Sequence, residues 1–312
     1  MAEKCLVTGG AGFIGSNLCL YLLKKGYSVV CLDDYSTGFE NNLNDCKKFN
    51  NFQLIKWDVT EPYDYDVDYI FNLACPASPP KYQKDPIKTL NTSYLGVKNA
   101  LELARKTNAT ILQASTSEVY GDPLVHPQIE SYWGNVNPVG IRSCYDEGKR
   151  VAETLMVEYR RKYDVKTKIV RIFNTYGPKM DPEDGRVVSN VIVNALKNTP
   201  ITVYGNGLQT RSFCYVDDLV NGLYSMIKSP SEVCGPINLG NPGEFTIMQL
   251  VNLVKKKVET NSEVVYLPLP GDDPTKRKPD ITKARELLKW EPHIELTDGL
   301  DKTIEYFRSK VQ

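Results

Sequence analysis

The sequence predicts an α/β fold, a doubly wound parallel sheet followed by a smaller C-terminal lobe, and three observations predict it. Short apolar runs at 4–8, 27–32, 52–57, 69–73, 109–114 and 168–173 alternate with amphipathic stretches. Strands separated by helices run parallel and are covered on both faces. A glycine cluster at 9–15 joins the first apolar run to the first amphipathic stretch. The rhythm then breaks after Asn174, where residues 175–186 hold two Pro and two Gly among charges, which is loop chemistry.

Taken in order, 4–8 reads as a strand, 14–25 as a helix, and 27–32, 52–57 and 69–73 as further strands. Residues 86–106 read as one long helix with apolar positions at Leu90, Leu95, Val97, Leu101 and Leu103. A fifth strand at 109–114, a long helix at 143–163 and a sixth strand at 168–173 complete the first half. Beyond the break, helices are expected at 189–197, 217–226, 246–258 and 282–288, with a strand at 200–204. The division expected is a cofactor domain over 1–174, rejoined by segments of about 211–240, and a substrate lobe over most of 175–312.

Composition narrows the classes. A chain of 312 residues suffices for two lobes around a cleft. Lys+Arg and Asp+Glu balance at 38 each, so there is no broad positive field for nucleic acid; the run Lys276-Arg277-Lys278 has a solvated loop as its bland reading and a site role for Arg277 as the other. No stretch approaches the ~18 apolar residues of a membrane span. No charged segment precedes a long apolar one at the start, so no signal peptide is expected and the location read is cytoplasmic. The eight Cys are scattered without a CxxC pair and read as free thiols. His126 and His293 lie near no Cys cluster, so neither a zinc site nor a His-based triad is expected.

Gly9, Gly12 and Gly15 stand at GxxGxxG spacing between a strand and a helix. Glycines there permit a tight turn and close approach of backbone to a pyrophosphate, while the helix N-terminus, opening at Phe13 and Ile14, adds N–H donors. The fold is therefore of Rossmann type. Asp33 ends the second strand, 18 residues past Gly15. A carboxylate there accepts both adenosine ribose hydroxyls and repels a 2′-phosphate, favouring NAD over NADP. Asp34 is adjacent, but strand register favours Asp33. Asp58-Val59 follows the third strand and reads either as an adenine contact or, for Asp58, as a helix cap or turn.

Tyr145 and Lys149 are four residues apart on a predicted helix and share a face. A tyrosine of pKa ~10 is a poor base until a nearby ammonium favours the phenolate; Tyr145 can then take a proton from a sugar hydroxyl. Such a pair can also merely line a helix. Ser115 or Thr116, at a strand end, can donate to the same oxygen.

Nearly the whole chain resembles the UDP-glucuronate decarboxylases (UDP-xylose synthases) of the extended short-chain dehydrogenase/reductase family. The residues that carry the resemblance are Ala77-Ser78-Pro79-Pro80-Lys81-Tyr82, Ser115 to Pro123 (STSEVYGDP), Ser143 to Arg150 (SCYDEGKR), Gly185 to Asn190 (GRVVSN) and Arg277-Lys278-Pro279-Asp280-Ile281. Cys75 departs from the family pattern, which has serine there. Related 4,6-dehydratases resemble STDEVYG and use the Asp as acid; here that position is Ser117, so dehydration lacks its proton donor. Related 4-epimerases have no carboxylate at the position of Glu118.

The resemblance implies an NAD-dependent carboxy-lyase that oxidises UDP-glucuronate at C4, releases C6 as CO2 and returns hydrogen to C4, giving UDP-xylose with NAD recycled. It implies catalytic roles for Thr116, Ser117, Glu118, Tyr145, Lys149 and Arg277, with Glu118 and Arg277 toward C5–C6. It implies cofactor contacts from Gly9, Gly12, Phe13, Ile14, Gly15, Asp33, Asp58, Val59, Leu73, Thr92, Ser115, Tyr145 and Lys149. Substrate contacts would come from Tyr82, Asn174, Arg186, Val187, Tyr204, Arg211 and Arg277, the arginines suiting phosphate; Tyr204 reads equally as a surface residue. It also implies a homodimer built through a four-helix bundle from the two long helices. The alternatives are a UDP-sugar 4-epimerase or a 4,6-dehydratase on the same scaffold, and a non-catalytic NAD-sensing protein.

Overall fold

The computed structural model describes residues 2–269 and 276–311. Seven parallel strands form the main sheet. The first half of the chain supplies β1 (Lys4–Thr8), α1 (Phe13–Lys24), β2 (Ser28–Asp33), β3 (Phe52–Lys56) and β4 (Tyr69–Asn72). It continues through α2 (Pro79–Lys84), α3 (Pro86–Asn91), a π-helical turn (Thr92–Gly96), α4 (Val97–Thr107), β5 (Thr110–Thr116), α5 (Ser143–Tyr163) and β6 (Thr167–Ile172). The second half supplies β7 (Thr175–Tyr176), α6 (Val187–Lys197), β8 (Ile201–Tyr204), β9 (Thr210–Ser212), β10 (Cys214–Tyr215), α7 (Val216–Ile227) and β11 (Ile237–Leu239). β12 (Glu244–Thr246), α8 (Ile247–Val258), β13 (Val264–Leu267), β14 (Lys276–Arg277), α9 (Thr282–Leu288) and α10 (Leu296–Val311) end it.

The sheet order is β11-β6-β5-β4-β1-β2-β3. Side-chain alternation divides its two faces. Cys5, Val7, Val29, Cys31, Phe71, Leu112 and Val170 point to one side and pack with residues of α1 and α7. Leu6, Leu32, Ile70, Ile111 and Ile169 point to the other, under Val97, Ala100, Leu101 and Leu103 of α4 and Ala152 and Met156 of α5. Burial on both faces is what lets these strands be apolar at successive positions. β11 pairs in parallel with β6 through Ile237, Asn238 and Leu239, at the edge of the sheet. The first apolar cluster runs on without a break into α6, α8 and α10.

The structure differs from the sequence reading at two helices. The helix expected over 86–106 is interrupted by the π turn, where one residue is accommodated in excess of the α repeat. Close packing surrounds it: a Cβ on Gly96 would meet Val59 Cγ2 at 2.9 Å, and one on Gly148 of α5 would meet Ser93 Oγ at 2.9 Å. The terminal helix α10 was not read, although Leu296, Leu300, Ile304 and Phe307 bury one face of it. Outside the main sheet, β9 lies between β12 and β14, and β8 pairs with β13. These small sheets hold Arg211 and Arg277 opposite one another in register. Among the described residues no helix is long and apolar enough to cross a membrane.

Candidate functional site

One cleft of about 470 Å³ runs along the C-terminal ends of the strands and on to residues 172–211 and Arg277, where open parallel sheets bind ligands. Its first end is built by the turn between β1 and α1. Gly9 has φ of +68°, and a Cβ there would come within 2.8 Å of Ala74 Cα. A Cβ on Gly15 would lie 2.2 Å from Gly9 O. Gly12 is the N-cap of α1, and no side chain caps that end. The first-turn amides and their dipole are thus left for an anion. Phe13 and Ile14 line the same wall.

Asp33 is buried at the end of β2, accepting the amides of Ala11 at 2.9 Å and Tyr35 at 2.8 Å. Burial pushes its pKa up, while those amides oppose the rise. Asp34 turns away to Lys88 at 2.6 Å. Asp58 Oδ1 accepts from the amide and hydroxyl of Thr60 at 2.9 and 2.8 Å, so it makes the turn and also lines the cleft with Val59. Leu73 and Thr92 line it too, with the Thr92 hydroxyl bonded to Lys88 O at 2.8 Å. A glycine cradle without Cβ atoms, an uncapped helix end and a buried carboxylate one strand away fit a dinucleotide.

Tyr145 and Lys149 stand one turn apart on α5, both buried and both on the cleft. Lys149 Nζ donates to Ala114 O at 2.9 Å and lies 5.7 Å from the centre of the Tyr145 ring. Burial pushes the Tyr145 pKa up, and the hydrogen bond with Thr116 is the contact that opposes it. The Ser115 hydroxyl donates to Glu153 Oε1 at 2.6 Å, and Glu153 in turn holds Arg171, so of the two strand-end hydroxyls it is Thr116 that is not taken up by Glu153. Ser115 still forms part of the cleft wall. Thr116 accepts the Glu118 amide at 3.2 Å and hydrogen-bonds with Tyr145, which places its hydroxyl beside the phenol oxygen. Tyr82 lies flat against Tyr145, ring centres 4.9 Å apart and planes 3° off parallel.

Beside the two tyrosines is a charge cluster. Arg277 is 1 % exposed, donates to Ser117 Oγ at 2.8 Å and lies 3.1 Å from Glu118 Oε1. Arg142 Nη2 reaches Glu118 Oε2 at 2.6 Å. Burial works against the Glu118 charge, but Arg277 and then Arg142 outweigh it and hold its pKa down to about 2. Asp146 sits 4.0 Å from Arg142 Nε. Burial, followed by repulsion from Glu118, raises the Asp146 pKa to about 7. Arg142 and Asp146 were missed from sequence; both flank Tyr145 at the start of α5, and their sealed positions carry no periodic signal.

The far end of the cleft gathers Asn174, Arg186, Val187, Tyr204 and Arg211. Arg186, the N-cap of α6, is ion-paired with Asp184. Arg211 Nη1 donates to Thr210 O at 2.9 Å. Tyr204 is 41 % exposed at the rim. Every residue expected at the site from sequence borders this one cleft.

The sequence model of the NAD dependent epimerase/dehydratase family matches residues 5–240. UDP-glucuronic acid decarboxylase 6 of Arabidopsis thaliana is 53% identical over 309 residues, covering 99% of this chain and 90% of the relative. UDP-glucuronic acid decarboxylase 1 of Xenopus tropicalis is 52% identical over 310 residues, covering 99% and 73%. Among solved structures, UDP-glucuronic acid 4-epimerase from Bacillus cereus, in complex with UDP-glucuronic acid and NAD, superposes with a TM-score of 0.90 at 27% identity, covering 99% of this chain and 100% of that one.

Proposed function

The chain belongs to the NAD dependent epimerase/dehydratase family, and from that premise we propose that it is an NAD-dependent decarboxylase converting UDP-glucuronate to UDP-xylose and CO2. The observation that carries the reading is the reach of Arg277 to Ser117 and Glu118, beside Thr116 and Tyr145. Where a dehydratase needs an acid, this chain has a serine bonded to a guanidinium. The cluster of Arg142, Arg277 and Glu118 is net positive, and it suits a sugar carboxylate.

NAD bound at the glycine end supplies reversible removal and return of hydrogen at C4, so the net reaction is not a redox change. Gly9, Gly12 and Gly15 would cradle the pyrophosphate and Asp33 the adenosine ribose. Tyr145 takes the proton of the C4 hydroxyl as C4 is oxidised, with Thr116 donating to the same oxygen. Lys149, anchored on Ala114 O, adds positive charge beside the phenol. The carboxylate then leaves as CO2, its bonding pair passing through C5 to the C4 carbonyl oxygen, where Tyr145 and Thr116 stabilise the charge. C5 takes up a proton, C4 regains hydrogen, and Tyr145 returns its proton to O4. Asn174, Arg186, Val187, Tyr204 and Arg211 would hold the UDP.

We further propose residues 1–174, with β11 and its neighbours, as the cofactor domain and most of 175–312 as the substrate lobe. A homodimer is proposed through the face formed by α3, the π turn and α5, supported by the exposure of Ile87, Leu90, Tyr94 and Leu95. All eight cysteines are free, in keeping with a reducing compartment, and the location proposed is cytoplasmic.

The likeness to a UDP-glucuronic acid 4-epimerase makes epimerisation the second reading. NMR of a reaction with UDP-glucuronate and catalytic NAD separates the two. A UDP-pentose with release of CO2 is expected; a six-carbon epimer, or unchanged substrate, would refute the proposal.

A further inference from the structure

We propose that Tyr82 is a positioning residue for Tyr145, its ring carrying the placement of the second-lobe loop 181–186 onto the phenol that moves the C4 proton. The inference rests on the reading of Tyr145 given above.

Tyr82, Tyr145 and Cys144, with Cys75 against them, form an apolar cluster separate from the two that cover the sheet. Tyr145 is therefore not gripped by either main core. What lies flat on its ring is Tyr82, at 4.9 Å between centres and 3° between planes. Tyr82 is 1 % exposed, and its hydroxyl oxygen is sealed with no hydrogen-bond partner among the described residues. The contact it makes is thus through the ring, not the hydroxyl, and the role proposed for Tyr82 is this one in place of the substrate contact that the resemblance implied.

Tyr82 sits on α2, which is tied to two parts of the molecule. On the cofactor side, Tyr82 O accepts the Thr89 hydroxyl at 3.1 Å and the Cys144 thiol at 3.8 Å. On the other side, Lys81 Nζ lies 3.1 Å from Asp181 Oδ2. Pro80 presses on Gly185, where a Cβ would come within 2.7 Å of Pro80 Cγ. Gly185 immediately precedes Arg186, a proposed UDP contact. A ligand that draws the 181–186 loop inward pulls on α2, and through the stacked ring it sets the plane of Tyr145. A reacting group misplaced by about 1 Å can cost about 10²-fold in rate, so a small movement at Lys81 and Pro80 suffices.

The test uses the full chain with NAD and UDP-glucuronate, comparing Tyr82→Leu, Tyr82→Phe and Tyr145→Phe. Tyr82→Leu is expected to lower kcat by about 10-fold or more, within the range that misplacement produces, with KM little changed. It is also expected to enlarge the isotope effect with C4-deuterated substrate, because the C4 step becomes slower. Partial misfolding would reduce the active fraction and leave that isotope effect where it was. Tyr82→Phe keeps the ring and should restore both values. Lys81→Ala should lower kcat in the wild-type background and not further beside Tyr82→Leu; with Tyr82→Met it supplies the same readout if the leucine variant does not fold. A Tyr82→Leu enzyme with wild-type kcat and isotope effect, or a Tyr82→Phe enzyme as impaired as Tyr82→Leu, overturns the proposal. Normal turnover by Tyr145→Phe would instead overturn the reading of the site.

Discussion

Arg277 Nη1 lies 3.1 Å from Glu118 Oε1, an ion pair that joins β14 to the turn after β5 with almost no solvent around the arginine. Removing one member of such a pair strands the other charge in a dry site, which costs about 3–5 kcal/mol. Arg142 also holds Glu118, so the loss falls at the lower end. Arg277→Ala is expected to lower the thermal midpoint and to reduce CO2 release from UDP-glucuronate by about 100-fold, as loss of a preorganised charge at a reacting group does. Arg277→Lys keeps the charge, loses the planar fork and should fall between. Wild-type CO2 release by Arg277→Ala would remove Arg277 from the mechanism.

Asp146 and Glu118 give stability opposite dependences on pH. Glu118 is held at about 2 against 4.5 for a free side chain. Its contribution is present above pH 4.5 and fades as pH falls toward 2. Asp146 is raised from 3.8 to about 7, so the folded chain keeps a proton that the unfolded chain has lost. Stability therefore drops as pH rises from 3.8 to 7, and the full penalty remains above 7. Asp146→Asn carries no such penalty. Melting at pH 5 and pH 8 should show a decline in the wild type that the Asn variant lacks; equal declines in both would exclude titration of Asp146.

The cofactor end makes a different demand. Asp33 holds the Ala11 and Tyr35 amides as well as the proposed ribose. Asp33→Asn loses the charge and one acceptor, and hydrogen bonds to a charged group are worth about 1.5–3 kcal/mol. NAD affinity by calorimetry should fall by about 10-fold or more on that basis, and the preference over NADP should narrow. Gly15→Ala, whose Cβ would sit 2.2 Å from Gly9 O, should lose NAD binding more completely. Unchanged NAD affinity in Asp33→Asn would displace Asp33 from the ribose site.

What was legible in sequence follows from periodicity and from local motif. The strand–glycine–helix order, the extent of α5 and the shared face of Tyr145 and Lys149 depend on neighbours in sequence, and they read directly. Ser115 and Thr116 could not be separated that way, because the choice is made by Glu153, a residue of α5. Arg142 and Asp146 take their meaning from Glu118, brought in by a different element. The stacking of Tyr82 on Tyr145 depends on where α2 docks, and the π turn depends on the tight approach of Gly96 and Gly148 to their neighbours. In each case tertiary contact decided what spacing left open. α10 is the exception, since its apolar spacing was present in the sequence and was not read.

The exposed face of α3 and the π turn yields the last prediction. Ile87, Leu90, Tyr94 and Leu95 are apolar and exposed along α3 and the π turn. Ile87 is 66 % exposed and Tyr94 45 %. The same turns pack on α5, where Ser93 and the end of Leu90 lie against Gly148. Burying such a stripe against its own copy across a two-fold axis would use one patch twice, as isologous dimers do. Ile87→Glu with Tyr94→Glu places like charges on both sides of that contact, where each protomer would have to desolvate them. Light scattering at micromolar concentration should give twice the 35.2 kDa of one chain for the wild type and a single chain for the double variant. Tyr145 and Lys149 are buried within one protomer, so the variant should keep its fold and bound cofactor, and a wild-type mass of 35.2 kDa would end the dimer proposal.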